Sequence, residues 1–172
     1  MMTKVAFIVG SLSQRSINRN VANEILKNAP QGVEIEEIRI NDLPLYTQDL
    51  DSQSIPAYDR VRQQIKEAEA VLIVSPEHNR SVPAALKNVI DIATRPFGQN
   101  VWTNKKVAIV TASPGAYGGI NSGVDLRKIM QVVGADVLNQ PEVYLSRAGL
   151  EIDERTAGFL AKFASAFFKW VE

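Results

Sequence analysis

Short runs of β-branched and apolar residues alternate with amphipathic segments along this chain, and that alternation leaves few folds open. Val5-Ala6-Phe7-Ile8-Val9, Ala70-Val71-Leu72-Ile73-Val74-Ser75 and Val107-Ala108-Ile109-Val110-Thr111 carry no polar alternation. Such runs predict strands covered on both faces. Val33–Ile38 alternates at period two, as expected of a half-exposed edge strand, and Asp136-Val137-Leu138 gives a last short strand. Between them the spacing predicts helices. Asn18–Ala29 places Val21, Ala22, Ile25 and Ala29 on one face, and Pro30-Gln31-Gly32 stops it. Pro56–Ala68 turns Val61, Ile65 and Ala68 inward, and Pro83 opens Ala84–Ala93. Leu126, Ile129, Met130 and Val133 mark a fourth helix closed by Gly134, and Asp153 caps a fifth bearing Leu160, Phe163, Ala164, Phe167 and Val171. Strict alternation means a doubly wound parallel sheet. For a single domain spanning residues 1–172 without internal repeats, the predicted strand order is 2-1-3-4-5. Ligands then sit at the switch point between strands one and three.

Composition closes off other classes. Lys plus Arg is 19 and Asp plus Glu is 19, a formal net charge of zero, where a nucleic-acid binder usually shows a basic excess. The same balance weakens a membrane-surface role. There are no cysteines, so disulfides, thiolate metal sites and a catalytic thiol are excluded. No apolar run approaches the roughly 18 residues a membrane-spanning helix needs. Met1-Met2-Thr3-Lys4 leads straight into a strand without a signal-peptide pattern, so a cytoplasmic enzyme or carrier is expected. The connection Asn41–Ile55 is long for a compact domain. Its Leu43, Leu45 and Tyr46 are too apolar for a free linker and are expected to pack on the body or on a second subunit.

Three loops meet at the predicted switch point. Gly10-Ser11-Leu12-Ser13-Gln14-Arg15-Ser16-Ile17-Asn18 combines a turn-forming glycine, three serines, Asn18 and a forked cation in Arg15, all before a helix N-terminus. Orphan N–H groups and the helix dipole favour an anion there, and a terminal phosphate fits. The same residues also describe a capped helix with a solvent-exposed arginine. Neither a P-loop nor a Gly-x-Gly-x-x-Gly follows the strand, so a mononucleotide is favoured over a dinucleotide as resident ligand. The second loop, Pro76-Glu77-His78-Asn79-Arg80-Ser81-Val82-Pro83, offers hydrogen-bonding groups on a backbone stiffened by proline; an ordinary polar turn uses the same residue types. In the third, Ser113–Gly119, glycines 115, 118 and 119 permit close approach to a planar ring and Tyr117 is placed to cover it. A phosphate cradle beside two ring-edge loops describes a flavin mononucleotide site. Three unrelated loops sharing one end of a sheet is the alternative.

Gly10-Ser11-Leu12, Ser16-x-Asn18, Leu43-Pro44-Leu45-Tyr46, Pro76-Glu77-x-Asn79-x-Ser81-x-Pro83, Leu86-Lys87-Asn88-x-Ile90-Asp91 and Ser113-Pro114-Gly115 resemble the NADPH-dependent FMN reductase family, and within it the bacterial chromate and quinone reductases. The resemblance reaches to about Tyr144 and is most specific from Pro76 to Asp91. It implies a flavodoxin-like three-layer α/β sandwich, FMN bound without covalent attachment, and NADPH or NADH as electron donor. Quinones, free flavin, azo compounds or chromate are the implied acceptors, taking turns with the donor at one open flavin face. It further implies a homodimer or homotetramer. By the same resemblance Ser11, Ser16 and Asn18 hold the phosphate, and Pro76, Glu77, His78, Asn79 and Ser113 line the flavin. No protein acid or base is required.

The sequence departs from that pattern in places. Tyrosine is common in the family where His78 and Arg80 stand, and the arginine that usually follows Gly-Ser-Leu is replaced by Ser13, with Arg15 coming later. His78 is the only histidine, without the partners a metal site needs. Arg80, beside the expected open flavin face, is a candidate for contact with the phosphates of the incoming donor. A flavodoxin-type electron carrier shares fold and cofactor. Such carriers are strongly acidic and use Thr-x-Thr-Gly-x-Thr after strand one, which is absent here. A receiver-type signalling domain needs acidic residues after strand one and an aspartate ending strand three, where Val9-Gly10 and Val74-Ser75 stand.

Overall fold

The computed structural model describes residues 2–172. Strand β1 (Thr3–Val9) is followed by α1 (Ile17–Leu26), β2 (Val33–Glu37), α2 (Pro56–Glu67), β3 (Ala70–Ser75) and α3 (Ala84–Ala93). Then come β4 (Lys106–Ala112), α4 (Ile120–Val132), β5 (Asp136–Val137), β6 (Val143–Leu145) and α5 (Glu154–Val171). All pairings between these strands are parallel, in the order β2-β1-β3-β4-β5, with β6 also on β4. This is the flavodoxin-like arrangement the alternation predicts. The last sheet position differs from the expected single strand. Asp136 and Val137 pair with Lys106 and Val107, and the chain rejoins β4 only at Val143–Leu145, opposite Val110–Ala112.

Because successive strand side chains point to opposite faces, each central strand feeds two cores. Val5, Phe7 and Val9 join Leu72, Val74, Ala108 and Val110 beneath α1 and α5, where Ile25, Phe163 and Phe167 are buried. Ala6, Ile8, Val71, Ile73, Val107 and Ile109 face α2, α3 and α4, meeting Ile65, Val89, Ile90, Leu126 and Met130. Every residue of β3 is buried, which is why its sequence shows no alternation. Each fully buried leucine, isoleucine or phenylalanine contributes about 1.5–3 kcal/mol.

Local chemistry sets the helix ends. Asp153 accepts from the Thr156 N–H at 2.7 Å, so Asp153 caps α5 and its carboxyl is held below the ordinary value. Gly134 (φ 83°) closes α4 just past its end. Helix α3 starts one residue after Pro83, which serves as its cap.

The connection between β2 and α2 packs on the body, as expected of its apolar content. Leu43 packs on the α2–α3 core. Tyr58 Oη and Asn88 Nδ2 both donate to the Pro44 carbonyl, at 2.9 and 3.0 Å, while the Tyr46 N–H donates to Asn88 Oδ1 at 2.9 Å. Arg95 forms an ion pair with Asp51, and Tyr46 Oη donates to the same carboxylate. Leu45, by contrast, is 78% exposed.

Candidate functional site

Register assembles the site. Val9, Val74 and Val110 lie abreast in the sheet, so loops 10–16, 76–83 and 113–119 leave it side by side. Strand order reverses between β1 and β3, the crevice where ligands bind in open α/β sheets.

The first loop is curled by its own hydroxyls. Ser11 Oγ accepts from the Ser13 N–H and Ser13 Oγ from the Arg15 N–H, both at 3.3 Å. Ser16 caps α1 by accepting the Arg19 N–H at 3.1 Å, which leaves its own hydroxyl hydrogen to donate. Gly10 fits closely here: a Cβ at that position would lie 2.7 Å from Ser75 Oγ and 3.1 Å from Leu86 Cδ2, so those side chains would have to shift. The first turn of α1 carries no acidic residue. Asn18 is 3% exposed; its Nδ2 donates to the Ala112 carbonyl at 3.2 Å, tying α1 to the end of β4. Asn18 Oδ1 is buried without a partner among the described residues. Such an acceptor needs a donor, and a polyhydroxy chain supplies one. Ser11, Ser13, Ser16 and the free N–H groups of the helix start suit the phosphate at its end, so the residues present fit FMN. Arg15 is exposed, and Arg19 is forked onto Glu37 at 2.6 and 3.1 Å.

The second loop turns on Asn79 (φ 48°) and Arg80 (φ 67°), with the N–H and C=O of His78 and Ser81 exchanged at 3.0 Å. Two consecutive positive φ values make this a tight two-residue turn. His78, Asn79 and Arg80 are exposed; Pro76 and Glu77 are partly buried. Glu77 does more than line a surface. Its Oε2 accepts the N–H groups of Asn121 (2.9 Å) and Ser122 (3.4 Å), and its Oε1 accepts from Asn121 Nδ2 (3.3 Å). The carboxylate therefore sits on the positive end of α4. Ser81 Oγ donates to Asp125 Oδ2 at 2.7 Å; that bond, with Lys128, holds the Asp125 carboxyl below its ordinary value. The β3–α3 turn is thus strapped to α4 at two points. Nothing in the sequence pattern singles out Asn121 or Asp125 for this role, although four residues apart they share one face of α4.

In the third loop, Ser113 Oγ accepts the Gly115 N–H at 3.0 Å, and the Ser113 N–H donates to Leu145 O. The freedom of Gly118 and Gly119 is used within the chain. A Cβ on Gly118 comes within 2.7 Å of the Tyr144 backbone, and one on Gly119 within 3.0 Å of Thr111 Cβ. Gly115 remains exposed beside the site. Tyr117 is 64% exposed, and the Arg80 guanidinium lies over its ring at 4.9 Å.

A cleft of about 280 Å³ runs between the first loop and the end of β2, lined by Ser11, Ser13, Arg19 and Glu37 among others. A larger cavity of about 630 Å³ lies between α2 and the segment from Gln99 to Lys105, away from these loops. Three of its polar residues tie helix ends: Arg62 Nε donates to Ile92 O, Asn100 Nδ2 to Val133 O and Lys105 to Ala68 O. Among the described residues no cluster of three or more His, Asp or Glu side chains is placed to hold a metal.

Comparison with known proteins agrees with this geometry. The family model for NADPH-dependent FMN reductases matches residues 3–149. A quinone reductase of Pseudomonas putida is 39% identical, the match covering 98% of this chain and 94% of the relative. A 2-hydroxy-1,4-benzoquinone reductase of a Burkholderia species is 38% identical, covering 99% and 97%. Among solved structures, the NAD(P)H:(acceptor) oxidoreductase FerB of Paracoccus denitrificans superposes with a TM-score of 0.91 at 36% identity, covering 98% and 97%. On the family match and the near-complete coverage by these relatives, the chain belongs to the NADPH-dependent FMN reductase family.

Proposed function

We propose that this chain is an FMN-dependent NAD(P)H oxidoreductase whose acceptors are quinones, with free flavin, azo compounds and chromate as further candidates. The observation that carries the reading is the convergence, at the switch point, of an acid-free serine-rich helix start with two exposed loops. The chemistry that bound FMN supplies is acceptance of a hydride from reduced nicotinamide and delivery of two electrons to a quinone. Ser11 and Ser16 anchor the phosphate, with Arg15 adding positive field, and Asn18, whose free buried atom is an acceptor, takes a hydroxyl of the chain leading to that phosphate. Pro76, Glu77, His78, Asn79, Ser113 and Gly115 border the ring, and Tyr117 stands at its mouth. Glu77 acts by fixing the turn on α4, since its oxygens are already engaged there. No side chain is assigned as acid or base. The neutral net charge supports an enzyme taking small acceptors over an acidic carrier that docks on a partner.

One exposed face serving both substrates predicts ping-pong kinetics. Double-reciprocal plots against NADPH at several concentrations of a simple benzoquinone should be parallel, with no partner protein added. Intersecting lines would mean that donor and acceptor occupy separate places. A chain that oxidises NADPH only in the presence of a second protein would be a carrier.

The reading includes self-association. Leu45 and Phe97 are 78% and 90% exposed, on the connection packed against α3 and just past the end of α3. A homodimer, or a tetramer built from it, would cover them. Light scattering at micromolar concentration should give at least twice the chain mass of 19.0 kDa, and a fully active monomer would end this part of the proposal.

A further inference from the structure

Arg80 occupies an unusual position for its residue type. Its φ of 67° lies in the left-handed region, where an L side chain is disfavoured and glycine or asparagine is the ordinary choice in such a turn. The guanidinium is held without being consumed. Tyr117 covers one face at 4.9 Å. The nearest carboxylate oxygen, Glu77 Oε1, is 3.9 Å from Arg80 Nη1, beyond hydrogen-bond distance. That carboxylate is already engaged by the Asn121 and Ser122 N–H groups and by Asn121 Nδ2. The Arg80 side chain is 66% exposed. The guanidinium is therefore held over a ring while most of the side chain stays open to solvent at the mouth of the site. A guanidinium presented in this way suits a two-pronged bond to phosphate.

We propose that Arg80, stacked on Tyr117, binds a phosphate of the incoming nicotinamide dinucleotide and so sets affinity for the donor, while leaving the resident flavin untouched. The proposal rests on the oxidoreductase reading above. Both donors carry a diphosphate, and only NADPH carries the 2′-phosphate, so comparing them locates the contact.

The test uses the FMN-loaded protein and the Arg80→Asn variant, because asparagine tolerates the left-handed turn. Three donors are compared with one quinone: NADPH, NADH and N-benzyl-1,4-dihydronicotinamide, which carries no phosphate. Calorimetric titration with NADP⁺ gives a readout independent of turnover. The expected result is a KM for NADPH and a Kd for NADP⁺ each raised about tenfold, with kcat/KM for the phosphate-free donor within about twofold of wild type. A tenfold loss with NADPH alone assigns the 2′-phosphate, and equal losses with NADPH and NADH assign the diphosphate. Unchanged NADPH and NADP⁺ values overturn the proposal. So does an equal loss with the phosphate-free donor, which would place Arg80's role in the turn or at the flavin. If the wild-type protein oxidises none of the three donors, the oxidoreductase reading itself fails. Activity with all three and an indifferent variant removes only Arg80.

Discussion

The Ser16→Ala and Asn18→Ala variants should each lose FMN affinity by about tenfold or more, and together by about a hundredfold. A hydrogen bond from Ser16 to the charged phosphate contributes roughly 1.5–3 kcal/mol, leaving a ligand hydroxyl without Asn18 Oδ1 costs roughly 1–3 kcal/mol, and each 1.4 kcal/mol is a factor of ten in binding. Ser16 also caps α1, and its loss there costs about 1 kcal/mol of stability, which must be separated from binding. Riboflavin makes that separation, because it has the ring and the polyhydroxy chain without the phosphate. Ser16→Ala should weaken FMN and leave riboflavin nearly unchanged, whereas helix loosening weakens both. Asn18→Ala should affect both ligands, since its buried Oδ1 suits a hydroxyl and its Nδ2 ties α1 to β4. Fluorescence titration of the apoprotein reads all four cases. If FMN affinity survives Ser16→Ala, the phosphate does not sit at the start of α1.

Gly118→Ala should cost about 2–4 kcal/mol of stability. The φ of 60° penalises any L side chain, and the new Cβ meets backbone atoms of Tyr144 at 2.7 Å and of Ser146 at 2.9 Å. Backbone of a paired strand cannot rotate away as a side chain can, so overpacking adds to the conformational cost. For a chain of this size the melting temperature should fall by roughly 5–15 °C. Gly158→Ala is the matched control. It lies within α5, and a methyl group there would meet nothing within 4 Å beyond the helix's own backbone, so stability should rise by about 0.5–1 kcal/mol. Equal melting temperatures for the two variants would show that the close approach of loop 113–119 to β6 is not a constraint.

The sheet is legible in the sequence because its information is local. Uninterrupted β-branched runs, proline and glycine stops and the Asp153 cap each act within a few residues, and order 2-1-3-4-5 then follows from alternation. The return of the chain to β4 at Val143–Leu145 is not legible, because so short a strand leaves no periodicity to read. Topology brings the three loops together as expected, while their internal chemistry stays hidden. Glu77 reads as a ring-edge residue, and its second task, holding the N-terminus of α4, is seen only in the structure. Gly118 and Gly119 read as room for a ligand until Tyr144 and Thr111 fill that room. Both uses depend on partners carried by other elements, which spacing cannot reveal. The Arg80–Tyr117 stack has the same origin: the two residues meet only because β3 and β4 run abreast.

The most direct measurement is the visible spectrum of the purified protein, followed by identification of what mild denaturation releases. Flavin bands are expected, either at once or after incubation with FMN and removal of the excess. The released compound should be FMN, and the bound colour should bleach when NADPH is added without oxygen and return on addition of a quinone. A preparation that stays colourless after FMN, or one that takes up only FAD, would contradict an FMN site at the switch point.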